Sequence, residues 1–492
     1  MNNSQEASEE GRPVESTPLL QPHPGKERYS VFTIGQKRLI ILTATIASMF
    51  SPISANIYYP ALNSIALDLD VTSSQISLTI TTYMICQGLA PTLTGSFADQ
   101  IGRRPAYILC FLIYITSNIA LALQHSYPAL LVFRAVQSTG SSGTVALASA
   151  VAADVITSAE RGSYMSITSL GNILAPSLGP LVGGVLSECL GWQSIFWFLA
   201  MLSTIFFIPL VLFLPETCRT IVGNGSIPAS GWNRSILNWW MSKHPHRKPI
   251  LIPSSNSEPV LQAQLPKRKI NPLSTLSVLF HLPAGLILLT NGLIFASYYA
   301  ITAALPSQLR SIYRLSDLNI GLSFIPMGAG TLLSATFNGI IVDWNYRRMI
   351  AKDRREMESF DVEKARLGVG GPMTLLAPLP ILIYALTTPT THPPPLALTL
   401  TLIFTISFTL TATYNILNIL LVDLHYTTPA TIMATNNLVR CLLGAAATAL
   451  VHPCIQHWGV RTTYCAVAVV VLSVVPLLWM VWRWGLHWRK GK

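Results

Sequence analysis

Twelve apolar runs, each about as long as the hydrocarbon layer of a bilayer is thick, govern what this 492-residue chain can become. They lie near 39–60, 76–97, 105–123, 127–149, 163–187, 192–214, 276–302, 318–342, 371–390, 395–421, 430–452 and 462–482. Inside lipid no water satisfies a backbone N–H or C=O, so each run must close its own hydrogen bonds as a helix. The expected fold class is therefore an all-α membrane protein with twelve transmembrane helices. Composition agrees, because 51% of the residues are apolar and only 11% charged, against about 25% charged in soluble domains.

A short charged stretch, Gly95-Ser-Phe-Ala-Asp99-Gln-Ile-Gly102-Arg103-Arg104-Pro105, separates the second run from the third. It has an echo 244 positions later in Gly339-Ile-Ile-Val-Asp343-Trp-Asn-Tyr-Arg347-Arg348. The same displacement sets Ile76, Leu78 and Ile80 against Ile320, Leu322 and Phe324. The chain thus reads as two copies of one unit, that is, two pseudo-symmetric six-helix bundles at 39–214 and 276–485. A polar tail (1–38), a Pro- and Ser-rich loop (215–275) and a short tail (486–492) complete it.

Orientation follows from the basic residues. With both termini cytoplasmic, the inner segments hold 27 Lys and Arg and the outer loops 3. The net charge of +11 thus serves topology, and no nucleic-acid partner is expected. Two glycosylation sequons, at Asn224 and Asn233, fall on the cytoplasmic side and should stay bare. No signal peptide precedes the first run, which acts as the membrane address. Seven cysteines, scattered singly, specify neither a disulfide frame nor a metal site. The charged loop 343–366 suits a solvated surface helix. Glu15-Ser-Thr-Pro-Leu19-Leu20 fits an acidic dileucine sorting signal, which makes the vacuolar membrane an alternative to the cell membrane.

Ionisable groups inside lipid are costly and therefore informative. Arg134 lies within span four, three residues from Gln137, and must find carbonyls, a solute or a proton-linked partner. Span eleven carries Asn436, Asn437 and Arg440; Asn436 and Arg440 are four residues apart and share a helical face, which points to solute binding or to helix packing. Span five holds Gly171, Asn172, Pro176, Gly179, Pro180, Gly183 and Gly184, a kinked and closely packed helix. Asn56, Tyr58 and Tyr59 in span one and Tyr298 and Tyr299 in span seven line a path or anchor at the interface. The acids, Asp68, Asp70, Asp99, Asp154, Glu160, Glu188, Asp317, Asp343 and Asp423, all fall at span ends or in loops, so an anionic or neutral solute is favoured over a cationic one.

On these residues the chain resembles the major facilitator superfamily, and within it the fungal twelve-span drug:proton antiporters. Gly95–Pro105 is similar to the superfamily's loop between spans two and three, Arg134 and Gln137 to the coupling motif of span four, and Gly171–Gly184 to the antiporter motif of span five. Ser138 stands where the span-four pattern usually has Gly. The resemblance implies the major facilitator fold, cytoplasmic gating by Asp99, Arg103 and Arg104 with Asp343 and Arg347 in the second copy, proton coupling through Arg134 and Gln137, and leak control by Gly179, Pro180 and Gly183. Solute contacts are expected from Asn56, Tyr58, Asn172, Tyr298, Asn436 and Arg440. The segment Asn437–Gly444 also looks like fungal exporters of organic acids such as citrate.

The expected function is efflux of a small organic compound, a xenobiotic or secondary metabolite, by alternating access. The proton gradient supplies the energy, with no cofactor, no metal and no catalytic residues. The partners expected are a small solute, protons and the lipid bilayer, around a monomer. An organic-acid exporter of the same fold and a transporter-like sensor are the rival readings. No nucleophile and base set, phosphate loop or metal spacing suggests an enzyme.

Overall fold

The computed structural model describes residues 30–156, 175–225, 227, 229, 231–235, 281–352, 361–388, 393–425 and 429–490. Its long helices fall on all twelve expected spans. In the first bundle these are α1 (Ile34–Asn56), α2 (Ser73–Ile101), α3 (Arg103–Leu123), α4 (Tyr127–Val155), α5 (175–190) and α6 (Gln193–Phe213). In the second they are α7 (Leu282–Tyr313), α8 (Asp317–Ala351), α9 (Val362–Thr387) and α10 (Leu396–Leu424), followed by α11 (429–458) and α12 (460–490). No strand occurs among the described residues. Asn172, the dileucine at Leu19-Leu20 and most of the 215–275 loop lie outside them.

Several helices start or stop where local chemistry demands it. Thr33 and Thr72 open α1 and α2 with reciprocal caps, each threonine N–H donating 2.9 Å to the glutamine three residues on. Gly459 separates α11 from α12 at φ 81°, a conformation costly for any residue with a Cβ. The helices also outrun the apolar runs. α1 begins at Ile34 and not 39, and α12 continues to 490, past the end of its apolar run at 482. The expected surface helix at 343–366 is instead the end of α8 and the start of α9, with 353–360 outside the described residues. Hydropathy marks the part of a helix in lipid, and backbone hydrogen bonding carries it further into water.

Eight described stretches are long and apolar enough to cross a membrane on that criterion alone; the described part of α5 is too short for it, and α2 and α4 are not among them either. α2 and α4 carry polar side chains that turn inward: Thr79, Thr81, Gln137, Ser138, Ser141, Ser142 and Thr144 are buried. Ser138 donates to the Tyr83 carbonyl of α2 at 2.6 Å and Thr144 to the Ala47 carbonyl of α1 at 2.9 Å. Such bonds, with close van der Waals contact, hold membrane helices together where no hydrophobic effect separates helix from lipid. Each bundle has an aromatic core: Phe50 against Phe111 (5.4 Å between ring centroids) in the first, Tyr384 against Tyr464 (5.1 Å) in the second.

The loops of the 244-residue repeat occupy one end of the molecule, called here the charged end. In the first bundle Gly102 turns α2 into α3 at φ 123°. The Glu216 carboxylate then accepts the N–H groups of Arg103 (2.8 Å) and Arg104 (3.1 Å), capping the positive end of α3. Arg103 pairs with Asp99 (2.5 Å) and Asp154 (3.0 Å), while Arg104 donates to the Val211 carbonyl (2.7 Å) at the end of α6 and to that of Trp232 (2.6 Å). Burial raises the Asp154 carboxyl above the ordinary carboxylate range, and Arg103 draws it back down.

In the second bundle the basic partner is Arg366, which reaches Asp423 (2.8 Å) and Asp343 (3.1 Å) and lies 4.1 Å over the Tyr346 ring. Arg347, which the repeat aligns with Arg103, is exposed. The displacement is 244 where α2 and α8 begin (Ser73, Asp317) but 269 where α4 and α10 begin (Tyr127, Leu396), so extra chain in the α8–α9 connection shifts the matching arginine downstream. Arg366→Ala is expected to cost about 1–3 kcal/mol, chiefly by leaving the part-buried Asp423 carboxylate without its cation. Arg347→Ala should cost nothing measurable. Thermal melts of both variants in detergent check this, and equal losses would reverse the assignment.

Hydrogen bonds join the two bundles from the far end to the middle, at Asn63–Pro306, Ser64–Asp317, Ser187–Asp317, Ser74–Gln456, Thr81–Thr448 and Gln87–Asn437. On the charged half, a Cβ at Gly95 of α2 or at Gly339 of α8 would meet nothing within 4 Å. Among the described residues the bundles therefore touch at the far end and the middle, with open space beside Gly95 and Gly339 toward the charged end.

Candidate functional site

Arg134 is 1% exposed and points into the first bundle, away from lipid. Its Nη1 donates to Gln137 Oε1 at 2.6 Å, and Gln137 Nε2 donates to Asn118 Oδ1 of α3 at 2.7 Å. The guanidinium lies 4.2 Å from the Tyr58 ring centroid and 4.4 Å from that of Tyr83, so two aromatic faces take the place of a counter-ion. Those rings are fixed in turn: Thr79 donates to the Tyr58 hydroxyl at 3.1 Å, and Tyr83 donates to the Ser51 carbonyl at 3.0 Å. Among the described residues no carboxylate pairs with Arg134, and its buried Nε has no partner. Asn56 folds back onto α1, donating to the Pro52 carbonyl at 2.7 Å.

Arg440 has a different setting. Its Nε and Nη2 donate to Asn437 Oδ1 (3.1 and 2.8 Å), its Nη1 donates to the Tyr414 hydroxyl of α10, and it lies 5.1 Å from the Phe295 ring of α7. Phe295 packs on Tyr299 at 4.4 Å, and Tyr299 meets the half-buried Tyr298 edge to face at 5.6 Å. Asn437 donates to the Gln87 carbonyl of α2 at 3.2 Å, so this cation sits where the two bundles touch. Asn436 points elsewhere. It donates to Asn418 Oδ1 (2.8 Å) and accepts from Asn291 Nδ2 (2.8 Å), an amide trio joining α7, α10 and α11 inside the second bundle.

At the far end the bundles are latched. Asp317, 4% exposed at the start of α8, accepts the hydroxyls of Ser64 and Ser187 from the first bundle, each at 2.6 Å, and Arg310 from its own at 3.1 Å. Asn63 donates to the Pro306 carbonyl at 2.9 Å, and Tyr59 stacks on Phe324 across the boundary at 5.9 Å. The small residues of α5 make this contact possible. Gly179 and Gly183 face Asn56 and Ile57 at the end of α1, while Pro180 and Gly184 face α8, where a Cβ on Gly184 would stand 2.7 Å from the Asp317 carbonyl oxygen.

The structure thus brings Tyr58, Arg134 and Gln137 into one cluster and sets Arg440 beside the wall to which Tyr298 belongs. It keeps Asp99, Arg103 and Arg104 within the first bundle, and Asp343 within the second. Glu216, Asp317, Asn291, Asn418 and Gly184 carry contacts that the sequence alone did not assign. The polar type of the four side chains inside or beside apolar runs, and the small size of Gly184, were the available signals, but each partner lies far away in the chain.

The sequence model of the Major Facilitator Superfamily matches residues 44–449. The chain is 41% identical over 473 residues to the MFS-type transporter phiD of a fungal species, covering 94% of this chain and 70% of that protein. It is 32% identical over 486 residues to Citrate exporter 1 of Aspergillus niger, covering 95% and 89%. The fold is shared with the solved human organic anion transporter MFSD10, at TM-score 0.53 and 17% identity over 90% of this chain and 99% of that one.

Proposed function

Because this chain belongs to the major facilitator superfamily and is a multi-pass membrane transporter, we propose that it exports a small organic compound in exchange for protons. The observation that carries this reading is the asymmetry of the interface among the described residues: the bundles are latched through Asp317 at one end and leave open space beside Gly95 and Gly339 toward the other, with Arg440 between them. A site reached from one side at a time is what alternating access requires. The excess of basic residues at the charged end makes that end cytoplasmic, with both termini inside. In this scheme solute enters from the cytoplasm, meets Arg440, and leaves once the Asp317 latch parts. Arg134 and Gln137, sealed under Tyr58 and Tyr83, respond to protonation, and the arginine clusters at the charged end hold each bundle rigid as it rocks. The protein works as a monomer in the cell membrane.

The organic-acid reading is favoured by one specific observation: among the described residues both interior arginines lack a carboxylate partner, and a relative is named as a citrate exporter. Reconstitution separates the possibilities. In proteoliposomes bearing an imposed pH gradient, lipophilic toxins or carboxylates should move against their own gradient and stop when a protonophore collapses it. Solute flux indifferent to the protonophore would end the proton-coupled reading, and binding without any flux would favour a sensor.

A further inference from the structure

We infer that Arg440 anchors a single carboxylate on a solute whose body is flat and apolar; this rests on the export reading above. A guanidinium carries five N–H donors. Three are engaged, by Asn437 and Tyr414, which leaves one on each terminal nitrogen without an acceptor among the described residues. Two donors on neighbouring nitrogens match the two oxygens of a carboxylate, the geometry that sets Arg apart from Lys. No protein carboxylate pairs with this cation among the described residues, so a bound anion would supply its missing counter-charge.

Access is consistent with such a role. Seven residues bring a helix round to nearly the same azimuth, and Met433, seven residues before Arg440 toward the charged end, is exposed. The lipid-directed face of α11, with exposed Leu442, Ala446 and Leu450, lies on the other side of the helix. The Arg440 face therefore opens on the space between the bundles. The rings of Phe295 and Tyr414, whose centroids are 5.9 Å apart, flank the guanidinium and offer planar surface to an unsaturated body. One charge is all this wall presents, because Arg134 lies sealed behind its two tyrosines. A monoanion fits that balance and a tricarboxylate does not.

The test is calorimetric titration of the full-length protein in detergent with 2-naphthoate, 2-naphthylmethanol, cyclohexanecarboxylate and citrate. 2-Naphthoate should bind at least about tenfold more tightly than the neutral alcohol, as a charge-assisted pair of hydrogen bonds implies, and at least about tenfold more tightly than citrate, whose further charges meet no cation here. Arg440→Gln should lose at least that factor for 2-naphthoate alone, and Arg440→Lys should recover only part of it. Phe295→Leu should weaken 2-naphthoate while sparing cyclohexanecarboxylate, and it keeps the inference testable if the arginine variants fail to fold. Absence of 2-naphthoate binding, unchanged binding in Arg440→Gln, tighter binding of citrate, or an equal effect of Phe295→Leu on both rings would each overturn the inference. Proton-driven flux of a neutral toxin without 2-naphthoate binding refutes this inference alone. Binding without proton-driven flux refutes only the export reading.

Discussion

Arg134→Ala is expected to abolish proton-driven flux while leaving a folded protein in the membrane. The variant removes a cation sandwiched between Tyr58 and Tyr83 and leaves Gln137 Oε1 without its 2.6 Å donor. A hydrogen bond to a charged group contributes about 1.5–3 kcal/mol, so the direct loss is equivalent to roughly ten- to a hundredfold in an equilibrium. Folding is cushioned, because the buried cation has no carboxylate and its removal also relieves a desolvation cost. Coupling is not cushioned, since no other described residue of the first bundle places a charge in this core. Arg134→Lys separates the roles. It keeps the charge but loses the planar fork that reaches Gln137 while lying over two rings, and should retain part of the flux. Parallel measurement of pH-driven flux in proteoliposomes and of thermal stability decides the matter; undiminished flux in Arg134→Ala would remove this residue from the mechanism.

The second large effect is expected from Gly184→Leu. The new Cβ would stand 2.7 Å from the Asp317 carbonyl oxygen and 3.2 Å from the Gly321 Cα, both backbone atoms that cannot swing aside. Overpacking of this kind costs about 1–3 kcal/mol when neighbours can shift, and here relief requires α5 and α8 to separate. The Asp317 bonds to Ser64 and Ser187 would break with them. The variant should therefore stay open at the far end: a cysteine placed at Ser64 should react with an impermeant thiol reagent faster than in the parent, and flux should fall at least about tenfold. Gly371→Ala, where a Cβ meets nothing within 4 Å, is the matched control and should behave as the parent. Slow labelling in Gly184→Leu would mean that the α5–α8 contact does not hold this end shut.

Both predictions depend on residues that the sequence exposed to different degrees. Arg134 stands out in the sequence because an ionisable group inside a lipid-length run has few tolerable places to be. Gly184 is only one small residue among several, and nothing in the chain says that Gly183 faces α1 while its neighbour faces α8. The repeat misleads at Arg347. Equal spacing held only as far as the end of α8, and extra chain beyond it gave the ion pair with Asp343 to Arg366. Asp317 shows the same limit: at a span end it reads as an interfacial acid, and its role follows from two serines 253 and 130 residues away.

By itself the sequence determined the bilayer as solvent, helix as the secondary structure, twelve spans, and the presence of cations that must face inward. Those follow from local quantities: run length, backbone satisfaction and the cost of charge in hydrocarbon. Only the tertiary structure decided that Arg134 is sealed between tyrosines while Arg440 keeps donors to spare, that Asn436 joins an amide trio while Asn437 reaches the other bundle, and that one end is latched. Those depend on the azimuth of each helix and on which distant helix it meets, and a one-dimensional pattern of apolar and polar residues leaves both open.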